Sequence, residues 1–66
     1  MRNRIGELRK EKGYTQQGLG DMLGVSRQTI ISLENGKYNP SLGLAHSIAK
    51  LFALTIEEVF LFEEPD

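Results

Sequence analysis

The tripeptide Gly24-Val25-Ser26 constrains this chain more than any other stretch, because a helical pattern stops and a second one starts within three residues. Upstream, Leu19, Met22 and Leu23 recur at helical spacing, and downstream Ile30, Leu33 and Glu34 do the same. Gly24 can take the left-handed backbone conformation that ends a helix at little steric cost. Ser26 suits the position just before a helix, since its hydroxyl accepts a bond from a free backbone N–H. Val25 is an apolar plug at the corner. With Ile30 and Leu33 turned inward, Gln28, Ser32 and Asn35 point outward, Thr29 and Ile31 lie to the side, and Arg27 stands at the exposed first turn.

A helix, a short glycine turn and a second helix form the sequence pattern of a helix-turn-helix, here over about 16–35, with the second or recognition helix over about 26–35. Arginine, glutamine, asparagine and serine carry the donor and acceptor sets that match base edges in a major groove. Arg27 is a candidate for guanine O6/N7 and Gln28 for adenine N6/N7, with Thr29 or Ser32 making a smaller contact. Ile31, apolar on a polar face, either meets a thymine methyl or rests on the neighbouring loop. Gln16 and Gln17 open the first helix beside free N–H groups, a good place to hold a phosphate.

The segments Gly13-Tyr14-Thr15-Gln16, Gly24-Val25-Ser26-Arg27-Gln28-Thr29-Ile30 and Leu33 through Ser41 (LENGKYNPS) resemble the phage-repressor-like (Xre, Cro/cI type) helix-turn-helix family. The resemblance runs from about Asn3 to Phe60. It implies an all-α, compact five-helix lambda-repressor-like DNA-binding domain filling residues 1–66, and a homodimeric transcriptional regulator of the small stand-alone kind. It also places the loop after the recognition helix along the DNA backbone. There Lys37 supplies charge, Tyr38 and Asn39 can donate to phosphate oxygens, and Asn35 joins the phosphate-binding set.

Asn3 can cap a first helix running through Lys12, with Ile5 and Leu8 as its apolar stripe and Gly13 just past its end. Arg9 falls on that stripe, and Glu34 falls on the stripe of the recognition helix. A buried charge without a partner is costly, so Arg9 and Glu34 are expected to form a structural ion pair. The resemblance points the same way, since family members commonly join the matching residues. The alternative is an Arg9 that reaches out to water over a half-exposed Glu34. Tyr14 is expected to pack under the first helix, and Thr15 to cap the second; Gly18 stands where a capping box would carry glutamate. Gly6, Gly18, Gly20 and Gly43 fall within helical patterns, where they would together cost roughly 3–4 kcal/mol of helix propensity. The expectation is a soft monomer that leans on a partner copy.

Ser41 caps a fourth helix whose stripe is Leu44, Ala45, Ile48, Ala49, Leu51 and Phe52. Thr55 and Glu58 form a capping box for a short fifth helix, in which Ile56, Val59 and Phe60 face inward. For Leu61 and Phe62 two outcomes are open: a short terminal strand pairing with Met1–Asn3, or a place in a dimer contact formed by Val59, Phe60, Leu61 and Phe62. The acidic tail over 61–66 is expected to fray at its end.

Charge is unevenly placed along the chain. Residues 1–50 hold all eight Lys and Arg against four acids, a balance of +4, whereas residues 51–66 hold five acids and no base. One end can therefore face phosphate while the other repels it. Cysteine is absent and His46 is alone, so neither a disulfide nor a metal site is expected. No apolar run is long enough to span a membrane, and Met1 opens no signal-peptide pattern, which makes the cytoplasm the default compartment. No cluster of catalytic residues, cofactor motif or small-molecule site stands out, so an enzyme is the weakest class. The leading reading is a sequence-specific DNA-binding transcriptional regulator, a repressor acting as a homodimer on double-stranded DNA at a palindromic operator with half-sites ~34 Å apart. The second is an antitoxin-like protein-interaction module that also binds its own operator.

Overall fold

Five helices follow one another in the computed structural model, which describes residues 1–62: α1 (Ile5–Glu11), α2 (Gln16–Leu23), α3 (Arg27–Glu34), α4 (Leu42–Leu51) and α5 (Ile56–Val59). Four of the five starts use a hydroxyl. Thr15, Ser26, Ser41 and Thr55 each accept a bond from the backbone N–H three residues on, at 2.9–3.2 Å. At Thr55 the box is complete, because Glu58 Oε1 accepts from the Thr55 N–H at 2.8 Å. The start of α1 differs. Arg4 at its cap position makes no side-chain cap bond, and Asn3 Oδ1 accepts from the Ile5 N–H at 3.0 Å instead.

The first four helices end in the same paired hydrogen bonds. At the second helix, Gly24 N–H donates to Asp21 O and Val25 N–H to Gly20 O, and equivalent pairs close α1 at Gly13, α3 at Gly36 and α4 at Ala53. Each pivot residue has positive φ: 75° at Gly13, 72° at Gly24, 74° at Gly36 and 57° at Ala53. Three are glycines that the sequence marks as helix stops. The fourth is an alanine, whose Cβ crowds the following carbonyl in that conformation at a cost of ~1–2 kcal/mol.

These ends let the helices pack their apolar stripes into one core made of Ile5, Leu8, Leu19, Ile30, Leu33, Ala45, Ile48, Ala49, Phe52, Val59 and Phe60. Tyr14 lies partly buried against it, its ring 6.5 Å from that of Phe52. Met22 departs from its expected place. It is 47% exposed, and Leu19 and Gly20 take the buried positions on α2, because α2 lies so close to the following turn that only a residue without a side chain fits at Gly20. Gly20 shows how close: a Cβ there would lie 2.8 Å from the Val25 carbonyl oxygen. An alanine at Gly20 would therefore clash rather than add helix propensity. Gly6 and Gly18 also have close neighbours, Glu34 Oε1 at 3.3 Å and Thr15 Oγ1 at 3.0 Å, whereas Gly43 faces open space.

The first residues meet the segment that follows α5. Arg4 N–H donates to Val59 O at 2.8 Å and Leu61 N–H to Arg2 O at 2.9 Å, an isolated antiparallel bridge between Asn3 and Phe60 rather than a strand pair. This bridge draws Val59 and Phe60 into the core at 0% and 2% exposure, which removes both from the expected dimer contact. A fully covered side chain has no surface left for a second copy. Of that set only Leu61 and Phe62 remain exposed. Residues 63–66, the rest of the acidic tail, lie outside the described residues. No helix among the described residues is long and apolar enough to cross a membrane.

Ala53 and Gly20 give opposite expectations. Ala53→Gly should raise stability by ~1 kcal/mol, moving the thermal midpoint up by several degrees. Gly20→Ala should lower it despite alanine's better helix propensity. Thermal melting of the two variants beside the parent checks both signs.

Candidate nucleic-acid interface

The outer side of α3 is set by what lies under it. Ile30 and Leu33 are fully buried, which fixes the rotation of the helix and leaves Arg27 and Gln28 exposed, with Thr29, Ile31 and Ser32 half-covered. Gln28, Thr29 and Ser32 line an open groove of about 310 Å³ together with Ser26, Lys37 and Tyr38. Lys37 and Tyr38 are exposed, so an ammonium and a phenol stand across this groove from the amide and hydroxyls of α3. The hydroxyl of Thr29 is not free to turn, because it lies 3.0 Å from Ser26 Oγ. Ser26, read from the sequence only as a cap, thus also forms part of the groove wall.

The remaining candidates are more dispersed. Arg27 and Ile31 lie outside that groove, four residues apart and so one above the other on the helix. Asn35 ends α3 and borders a hollow with Met1, Arg2, Asn3 and Leu61. Asn39 borders a different, mostly apolar groove with Pro40, Leu42, Ile56 and Phe62, which separates it from Lys37 and Tyr38. At the start of α2, Gln17 is exposed and its amide donates to Asp21 Oδ1 at 2.9 Å. Gln16 is half-buried, and its amide donates to Glu34 Oε1 at 3.3 Å. Each amide nitrogen keeps a second hydrogen for another acceptor.

Beneath this surface Arg9 and Glu34 meet. Arg9 Nε donates to Glu34 Oε2 at 2.7 Å and Nη2 to Glu34 Oε1 at 3.3 Å, a two-point pairing of guanidinium and carboxylate. The third arm, Nη1, donates to the Tyr14 carbonyl at 3.0 Å. The side chains are only 12% and 14% exposed. With Gln16 added, one carboxylate ties α1, the start of α2 and the end of α3 together. Gly6 makes room for it, since a Cβ there would press on Glu34 Oε1.

A family model described as helix-turn-helix matches residues 5–59, spanning all five helices. The chain belongs to the phage-repressor-like (Xre, Cro/cI type) helix-turn-helix family. Its members are DNA-binding transcription regulators rather than enzymes. A protein of Archaeoglobus fulgidus described as an HTH-type transcriptional regulator is 50% identical over 66 residues, covering 100% of this chain and 94% of that one. Among solved structures, the restriction-modification controller protein C.AhdI of Aeromonas hydrophila is 31% identical with a TM-score of 0.74, covering 83% of each chain. SinR, a master regulator for biofilm formation solved in complex with DNA, is 29% identical with a TM-score of 0.72, covering 82% of this chain and 87% of that one. In this helix-turn-helix regulator the motif is α2 and α3, which pack on each other more extensively than any other pair of helices.

Removing one partner of a buried ion pair leaves the other charge stranded. Glu34→Ala should therefore destabilise the regulator by ~3–5 kcal/mol. Urea denaturation reads this directly, and a midpoint equal to the parent's would show that the pair contributes nothing.

Proposed function

We propose that this regulator is a repressor that acts as a homodimer in the cytoplasm, reading a palindromic operator with α3 in the major groove of each half-site. The observation that carries the reading is the groove in which Gln28 and Ser32 of α3 stand across from Lys37 and Tyr38. Base-reading groups and phosphate-binding groups there sit on one open side of the molecule, as docking on a duplex requires. The solved complex of SinR with DNA supports the same use of the fold.

In this reading Arg27, Gln28, Thr29, Ile31 and Ser32 face base edges, Gln28 with an adenine or neighbouring purine and Ile31 with a thymine methyl. Lys37 and Tyr38 hold the phosphates on one side of the groove, and Gln16 and Gln17 hold those at the start of α2. Asn35, at the end of α3, and Asn39, in the loop after it, serve the same backbone. Residues 1–50, whose eight bases outnumber their four acids, supply the side that faces the duplex, and the exposed Leu61 and Phe62 face the second copy.

Selection of binding sites from random duplexes at stated salt tests the whole reading; a symmetric selected site supports it, and no enrichment at low salt rejects it. Gln28→Ala should relax preference at one base position by ~1–3 kcal/mol, and an unchanged site preference would remove Gln28 from the base-reading set. Lys37→Ala should weaken binding to all sequences alike and reduce the salt slope by about one. Titrations of specific and nonspecific duplexes across a salt series check this second expectation.

A further inference from the structure

Asn3 holds three parts of the chain at once. Its Oδ1 accepts from Ile5 N–H at the start of α1, and its Nδ2 donates to the Leu33 carbonyl at 2.8 Å and to the Met1 carbonyl at 3.1 Å. Its backbone forms the bridge with Phe60. Leu33 O belongs to the last turn of α3, where carbonyls lack partners within the helix, and it also accepts from the Gly36 N–H. The side chain is partly buried. Two residues beyond the bridge, Phe62 is 59% exposed.

We infer that Asn3 is a positioning residue that fixes the tilt of the recognition helix relative to the Leu61–Phe62 segment, and so sets the half-site separation a pair of copies can read. The inference rests on the paired-copy reading above. The far end of α3 has three ties: Glu34, through Arg9, to α1; Leu33, through Asn3, to the residues that bridge to Phe60; and Gly36, just past the helix, whose carbonyl accepts from the Met1 nitrogen. The first orients the helix within one copy. The second links it, over a single side chain and one bridge, to exposed apolar residues beside which a second copy would sit. A small rotation at this link changes the distance between two recognition helices while leaving Gln28 and Thr29 in place, because these stand in the first turn of α3, away from Leu33, whereas Lys37 follows Gly36, whose carbonyl accepts from the Met1 nitrogen at 2.7 Å.

The test compares the full chain with Asn3→Ser and Asn3→Asp. Both retain an oxygen able to accept from Ile5 N–H, and both lack the amide that reaches Leu33. The duplexes carry two copies of the selected half-site at separations stepped by one base pair, with a one-half-site duplex as control. The parent should favour one separation over its neighbours by about tenfold, and the variants by about threefold or less, with base preference within the half-site unchanged. A variant that keeps the parent's separation preference overturns the inference. So does a variant that loses affinity equally for one and two half-sites in step with a lower melting temperature, since that is a purely structural role. If the two variants do not fold, parent protein with amide exchange at Gly36 and Lys37 decides: protection of these amides must rise on the preferred two-half-site duplex and not on the control. A parent that shows no preferred separation refutes the paired-copy reading itself, and the inference with it.

Discussion

Everything in this small domain turns on one carboxylate. Glu34 accepts from Arg9 and Gln16 and lies against the backbone of Gly6, so the first three helices share a single polar anchor inside an otherwise apolar interior. A carboxylate removed from water is expensive, and only a guanidinium that meets it at two points offsets that cost. The third arm of Arg9 closes the account by donating to the Tyr14 carbonyl at the turn between α1 and α2. Apolar stripes bring helices together without fixing their rotation; a directional pairing fixes it. Specificity of orientation is what a recognition helix needs, since its polar side must stay outward.

The same demand recurs at both ends of α3. Ser26 caps its start and also lines the groove with Gln28 and Thr29, so the residue that begins the helix belongs to the surface it presents. At its far end Leu33 O is taken by Gly36 N–H and by Asn3, and Gly36 O accepts from the Met1 nitrogen at 2.7 Å. A helix of eight residues has little stability of its own. Its hold comes from Ile30 and Leu33 below, the carboxylate beside it and satisfied backbone groups at each end.

Glycine use follows from this closeness. Gly6 looks from the sequence like a waste of helix propensity, whereas Gly20 reads as a small residue that lets the two motif helices come close; both are places where another part of the molecule approaches too near for a side chain. Gly43 has no such neighbour, and nothing in the structure explains it. Ala53 is the converse, a residue with a Cβ held at φ 57° because the geometry of the α4 end requires the turn whatever residue stands there. Positions such as Gly6 and Ala53 are invisible to pattern reading, since propensity describes an isolated helix and these depend on what lies across from it.

The sequence by itself determined the five helices, their hydroxyl caps, three of the four glycine-type stops and the inward charges at Arg9 and Glu34. These are local matters: hydrogen-bonding side chains next to free N–H groups, and apolar residues repeating at helical period. The tertiary structure decided which surface is left over. It buried Val59 and Phe60 through the bridge to Asn3, turned Met22 outward, brought Ser26, Gln28, Ser32, Lys37 and Tyr38 to one groove and sent Asn39 to another. It alone gave Asn3 its second task, because a side chain amide meets a carbonyl thirty residues away only once the helices between them have packed.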